Sequence, residues 1–205
     1  VQVEPEHYSF ESYDGLPRWC SYWYQIKEAL ALSPKRVLEV GPGSGVFTSY
    51  LRGRGIDVKT VDIDATRKPD FVCSVDAIDR DLPADLKFDI VCVFQVLEHL
   101  PHDRFDQCLS GLARRGRYCL LSLPHFGFSA RFSVAFAGVK VSLGTRMPKP
   151  WSFRKDQQHE WELDFRKHSV AQTTHELEKH FKVLNSYHIK ENTYHRLWVL
   201  QSLAF

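Results

Sequence analysis

The chain lacks any run of about 18 apolar residues, so no segment is suited to cross a membrane as a helix. Its five cysteines, Cys20, Cys73, Cys92, Cys108 and Cys119, form no CxxC pair and are odd in number. That pattern speaks against a disulfide framework and against structural zinc, and no metal is expected. Three of the cysteines sit inside apolar runs and read as reduced, buried thiols of a cytoplasmic protein. Internal repeats, low-complexity tracts and obvious linkers are missing as well. The first residues, VQVEPEHYSFESYDG, lack the charged-then-apolar layout of a secretory signal. Acidic side chains are absent between Asp106 and Asp156.

What is present is enough for one core. The 205 residues are 43% hydrophobic and 13% aromatic, which points to a single domain. The net charge of +2 conceals an uneven distribution. The acid-free stretch carries Arg114, Arg115, Arg117, Arg131, Lys140, Arg146, Lys149, Arg154 and Lys155, and the rest of the chain holds 18 basic against 25 acidic residues. Such a segment either faces an anionic ligand or keeps a surface solvated.

Helix and strand patterns alternate along the chain. Residues 17–33 show helical spacing at Trp19, Trp23, Ile26 and Leu30, with Pro17 in the first turn. The aromatics Trp19, Tyr22, Trp23 and Tyr24 are read mostly as core, with one or two placed to cover a ligand. Strands are predicted at KRVLEV (35–40), DVKTVDID (57–64), DFVCSVDA (70–77), FDIVCVFQ (88–95) and RYCLLSLP (117–124). Helices are predicted at 46–55, 102–115 and 169–181, the last with Ser169 as N-cap, and two closing strands follow. Glu98 and His99 read as shaping the turn into the helix at 102–115. The alternation implies a parallel sheet with right-handed crossovers and helices on both faces. Ligands of such sheets bind beyond the carboxyl ends of the strands. Gly41, Asp62, Asp76, Gln95 and His125 all fall on that rim.

The stretch VLEVGPGSGVFTSYL (37–51) carries Gly41, Gly43 and Gly45 at alternate positions. It is not the dinucleotide fingerprint GxGxxG, because Val46 stands where the third glycine is required. It is not a phosphate-binding loop either, because no GK[ST] follows.

The pattern ExGxGxG resembles the glycine loop of class I S-adenosylmethionine-dependent methyltransferases. FDIVCVFQVLEHLP resembles that family's fourth strand and the turn after it. WCSYWYQI, LSLPHFG and HEWEL extend a looser likeness to small bacterial methyltransferases over the whole chain. The likeness is close over 34–124 and topological over 169–205. It implies a three-layer α/β/α fold, a Rossmann-like doubly wound seven-stranded sheet with an antiparallel last strand. The chain would then divide into a cap region (1–33), a cofactor-binding core (34–124), a substrate lid (125–168) and a closing helix and strand pair (169–205).

The resemblance implies S-adenosylmethionine as cofactor, held by Glu39, Gly41, Gly43, Gly45, Asp62, Ile63, Asp76, Ala77 and Gln95. Glu39 would orient the loop or the cofactor's ammonium group, Asp62 would take the ribose hydroxyls, and Asp76 the adenine amino group. The sulfonium already activates the methyl group, so the transfer asks for alignment, exclusion of water and sometimes removal of a proton. His125 and His159 are the candidate bases, with Glu160 or Glu162 fixing the tautomer of His159 and Trp161 anchoring the loop.

The expected acceptor is a small molecule, a glycan or a lipid-linked compound, methylated on oxygen. Phe128, Phe132, Phe136 and Val139 fall on a helical stripe, read as a lid or as a helix lying on an anionic membrane through residues 126–155. A nucleic-acid (RNA) methyltransferase and a non-catalytic methyltransferase-like binding module are the alternatives. No [DNS]PP[YF] loop follows the fourth strand, which opposes the first. The retained glycines and ribose acid oppose the second.

Overall fold

The computed structural model describes Phe10 and residues 13–136, 139–147, 159–164 and 168–205. Helix α1 (Leu16–Ala31) leads into β1 (Arg36–Val40), α2 (Val46–Gly53), β2 (Asp57–Asp62) and a short β3 (Phe71–Val72). Then come α3 (Ile78–Asp81), β4 (Phe88–Phe94), α4 (Phe105–Arg115) and β5 (Gly116–Pro124). A hairpin of β6 (Phe128–Phe136) and β7 (Val139–Met147) precedes α5 (Val170–Glu178), β8 (Phe181–His188) and β9 (His195–Ser202).

Seven strands form one sheet in the order β3-β2-β1-β4-β5-β9-β8. The first five run parallel, and β9 is antiparallel to both β5 and β8. The order reverses beside β1, which sits between β2 and β4, so a crevice opens at the ends of these strands. This is the doubly wound sheet with an antiparallel last strand that the sequence implied.

Strand side chains alternate between two apolar layers, because successive residues point to opposite faces. Leu38, Val40, Val91, Val93, Cys119, Leu121 and Leu123 pack with Ile78, Leu109, Leu112 and Leu177 from α3, α4 and α5. Val37, Ile90, Cys92 and Leu120 pack on the other face with Ala29 of α1 and Phe47 and Leu51 of α2. Covered faces explain why β4 reads as an unbroken apolar run. The same alternation sends Glu39 to the α1–α2 face, into the layer of Val37 rather than that of Leu38.

Local signals behave as their chemistry dictates. Ser169 caps α5 in a reciprocal box: its Oγ accepts from Gln172 N at 3.2 Å, and Gln172 Oε1 accepts from Ser169 N at 3.1 Å. Gly55 closes the turn after α2 at φ +79°. Arg115, on α4, is fully buried and donates to the carbonyls of Asp79 and Leu82 at 2.8 and 3.0 Å and to that of Pro83. It fastens the loop before β4, so this member of the basic block is structural.

Three expectations are corrected. Residues 128–136 and 139–147 pair as antiparallel strands, not a helix, with Phe128 opposite Met147 and Phe136 opposite Val139. Its β-branched and aromatic residues suit a paired strand, and that preference prevails over the helical spacing of the phenylalanines. Trp19 and Trp23 are 44% and 59% exposed, and the buried stripe of α1 is Ser21, Gln25 and Ala29. That face lies over polar strand ends, so it is polar too. The third strand is only two residues, with Val75–Ala77 a 3₁₀ turn instead of its continuation. Among the described residues no helix is long and apolar enough to cross a membrane.

Candidate functional site

The glycine loop starts where β1 ends. Gly41, Gly43 and Gly45 all have left-handed φ, at +67°, +55° and +76°, which only glycine adopts without strain. At Gly41 a Cβ would lie 2.6 Å from Val96 Cγ2, so the close approach also demands glycine. Gly45 N donates to Pro42 O at 2.8 Å, and Gly41 N donates to Val61 O at 2.8 Å, which ties the loop to β2. Arg67 Nη1 reaches back to Gly43 O at 3.0 Å. The loop is therefore held by its neighbours.

Glu39 lies beneath it, buried, and accepts a hydrogen bond from Thr48 Oγ1 of α2. Burial pushes its carboxyl up to about 8, against the pull of the Thr48 bond and of Arg52. A buried carboxyl poised near neutrality suits a site that receives a cationic group.

Asp62 ends β2. Its Oδ1 accepts from Asp64 N at 2.9 Å, and its second oxygen has no protein partner among the described residues. Ile63 beside it is half exposed. Asp76 lies in the 3₁₀ turn after β3, and Arg104 Nη1 donates to it at 2.5 Å. Burial opposes its ionisation, but the Ser74 hydroxyl and the Arg104 guanidinium outweigh it and hold the carboxyl below its usual range. Ala77 is buried in the same turn. Gln95 follows β4 at φ +56°, its N bonded to Ser122 O at 3.0 Å and its Nε2 to Ser122 Oγ at 3.1 Å.

An open cleft joins the loop to the strand ends. Glu39, Gly41, Gly43 and Gln95 line it. Asp62, Ile63, Asp76, Ala77 and Gly45 lie along the rim outside its lining. Sequence reasoning did not pick Arg18, Gln25 or His195, all of which line the cleft with Tyr22. A signal for them existed: Arg18, Ser21, Tyr22 and Gln25 recur at helical spacing, a polar stripe down an otherwise aromatic helix. Tyr22 Oη donates to Asp14 Oδ1 at 3.0 Å and shares a 3.0 Å hydrogen bond with Ser44 Oγ, so α1 is latched to the glycine loop. Arg18 stacks over the Tyr13 ring at 3.7 Å.

The histidines divide. His125 follows β5 at the carboxyl rim but is buried, with Nε2 2.5 Å from Asp164 Oδ2 and its ring 4.5 Å from that of His188. His159 Nδ1 lies 2.9 Å from Glu162 Oε1, so Glu162 rather than Glu160 faces it, and Trp161 is buried with Nε1 donating to Leu100 O at 3.1 Å. Neither histidine lines the cleft. His195 does, paired with Pro124 across β5 and β9. Burial, helped by Arg18 and His159, pushes its imidazole down to about 3, so the ring is neutral, and its Nδ1 has no hydrogen-bond partner among the described residues.

These residues fit S-adenosylmethionine. The glycine cradle leaves open space at Gly45, where an added Cβ meets nothing within 4 Å. Glu39 offers carboxyl oxygens to an amino acid's ammonium and Arg18 a positive charge to its carboxylate, and Asp62 has a second oxygen with no partner among the described residues for a ribose. Bound there, the cofactor supplies an activated methyl group on its sulfonium.

A family model described as a methyltransferase domain matches residues 18–183. No curated protein matches the chain in sequence. Solved structures share the fold at low identity. Magnesium protoporphyrin IX methyltransferase from Synechocystis PCC 6803 with bound S-adenosylmethionine is 16% identical, aligned over 98% of this chain and 87% of that one, at a TM-score of 0.58. A glycopeptide N-methyltransferase complexed with S-adenosylmethionine is 14% identical over 87% and 92%, at 0.55. The N-methyltransferase NodS from Bradyrhizobium japonicum WM9, in complex with S-adenosylhomocysteine, is 10% identical over 88% and 87%, at 0.53. With a matching model over most of its length and a glycine loop, strand order and cleft of the required kind, the chain belongs to the class I S-adenosylmethionine-dependent methyltransferases.

Proposed function

We propose that the enzyme methylates an oxygen of a small-molecule, glycan or lipid-linked acceptor that enters the cleft between α1 and the start of β9. The observation that carries this reading is the cleft itself, in which His195 and Gln25 face the same space as Glu39, Gly41 and Gln95. A neutral His195 accepts a hydrogen bond from an acceptor hydroxyl and aligns its lone pair for in-line attack. As the new C–O bond forms, the hydroxyl proton becomes strongly acidic, far more so than an imidazolium. Even a histidine pushed to about 3 then accepts it. His195 thus takes the role that the sequence suggested for His125 or His159.

Two of the similar structures are a glycopeptide N-methyltransferase and magnesium protoporphyrin IX methyltransferase, which favours a compact acceptor over a nucleic acid. Two members of the basic block, Arg114 and Arg115, are committed to Asp79 and to backbone carbonyls, which weakens the nucleic-acid alternative. The hairpin supports a lipid-linked acceptor: Phe136, at the end of β6, is 82% exposed, and Val134 is exposed as well.

A methyl-transfer screen against sugars, phenols, carboxylates and lipid-linked glycans tests the reading. An O-methylated product is expected, with His195→Gln lowering turnover by about 10²–10⁴ and cofactor affinity unchanged. Products methylated only on nitrogen, or a variant of wild-type turnover, would overturn it.

A further inference from the structure

We propose that Glu98, His99 and His159 form a binding site for one divalent transition-metal ion of the zinc class. Each of the three offers one ligand atom, and these atoms lie within 4.8 Å of one another. Glu98 and His99 come from the 3₁₀ turn after β4 (Leu97–His99), and His159 from the segment 159–164.

The independent observation is the state of Glu98. Its side chain is wholly buried, and neither Oε1 nor Oε2 has a hydrogen-bond partner among the described residues. A carboxylate taken out of water without partners is costly, and native proteins rarely leave one so. A role in shaping the turn does not explain it, since no backbone N–H of another described residue donates to the carboxylate. A cation between Glu98 and the two imidazoles compensates for the burial.

The surroundings have the form of a second coordination layer. His159 Nδ1 faces Glu162 Oε1 at 2.9 Å, and Tyr194 Oη donates to the same oxygen at 2.5 Å. A carboxylate on the second ring nitrogen is what orients a metal-ligating histidine. The rings of His99 and His159 stand 4.9 Å apart at 70°, edge to face. Glu160 N donates to Glu98 O at 2.8 Å, and Trp161 Nε1 to Leu100 O at 3.1 Å, so the two ligand-bearing segments are fastened before any ion arrives.

The donor set chooses the ion. Two imidazoles and one carboxylate suit zinc and its first-row neighbours rather than calcium or magnesium, which prefer oxygen alone. Three protein ligands leave a fourth position for water. The cysteine spacing that speaks against zinc has no bearing on a site built from histidine and glutamate. The proposal is independent of the methyl acceptor, and it takes His159 out of proton transfer.

The test uses the full chain, stripped with a chelator and titrated with Co²⁺, followed by displacement with Zn²⁺. One equivalent of Co²⁺ is expected to bind with visible absorption of a low-coordinate nitrogen–oxygen site, and Zn²⁺ to abolish it. Glu98→Gln, His99→Ala and His159→Ala should each weaken binding at least about tenfold, and Glu162→Gln by roughly 10–100-fold. X-ray absorption of the Zn²⁺-loaded wild type gives a readout that needs no variant: only nitrogen and oxygen neighbours, with imidazole scattering. Absence of stoichiometric binding, sulfur in the first shell, or unchanged affinity in both histidine variants overturns the proposal.

Discussion

Thr48 Oγ1 donates a hydrogen bond to the buried carboxyl of Glu39, directly beneath the loop that carries Gly41, Gly43 and Gly45. Burial raises that carboxyl to about 8, so in the empty protein at pH 7 it is mostly protonated. The cofactor's ammonium favours the ionised form. Binding at pH 7 should therefore release a proton, and affinity should rise with pH up to about 8. Calorimetry in buffers of different ionisation heat measures the release, and Glu39→Gln should abolish it. The same shift runs the other way for stability. The folded carboxyl titrates above its ordinary 4.5, so the empty protein should lose stability between about pH 4.5 and 8, a loss absent in Glu39→Gln.

Gly41 and Gly45 separate two causes of glycine dependence. Both have left-handed φ, but only at Gly41 would a Cβ strike a neighbour, Val96 Cγ2 at 2.6 Å. Gly45→Ala should cost about 1–2 kcal/mol, the strain alone. Gly41→Ala should cost more, and Val96→Ala added to it should restore part of the difference. Thermal denaturation of the four variants, including Val96→Ala alone, decides this, and equal losses at both glycines would contradict the contact.

Phe136 is expected to meet a lipid surface. Liposomes containing anionic lipid should retain the protein at low salt and release it at high salt, and Phe136→Asp should reduce retention. Equal behaviour on neutral and anionic vesicles would return the hairpin to ordinary surface.

Much of this was legible in the sequence because it rests on local, obligatory chemistry. Three glycines with positive φ, an apolar β4 covered on both faces, and Ser169 with Gln172 three residues on each have one economical reading. The hairpin was not legible, since phenylalanines at 128, 132 and 136 fit a helix as well as a strand, and cross-strand pairing with 139–147 decides between them. The polar face of α1 was overshadowed by its tryptophans, which turn outward. Glu98, His99 and His159 could not be joined from spacing, because some sixty residues separate the turn after β4 from the loop that returns to it. His195 was hidden for the same reason, brought to the cleft by pairing between β5 and β9.

The central claim is that this rim holds S-adenosylmethionine through Asp62, whose second carboxylate oxygen has no protein partner among the described residues. The most direct measurement is calorimetric titration of wild type and Asp62→Ala with S-adenosylmethionine and its demethylated product, with circular dichroism to verify the fold. Binding at one site per chain is expected, weakened in the variant by roughly 1.5–3 kcal/mol because the lost bonds involve a charged acceptor. No binding by the wild type, or equal affinity in a folded Asp62→Ala, would contradict it.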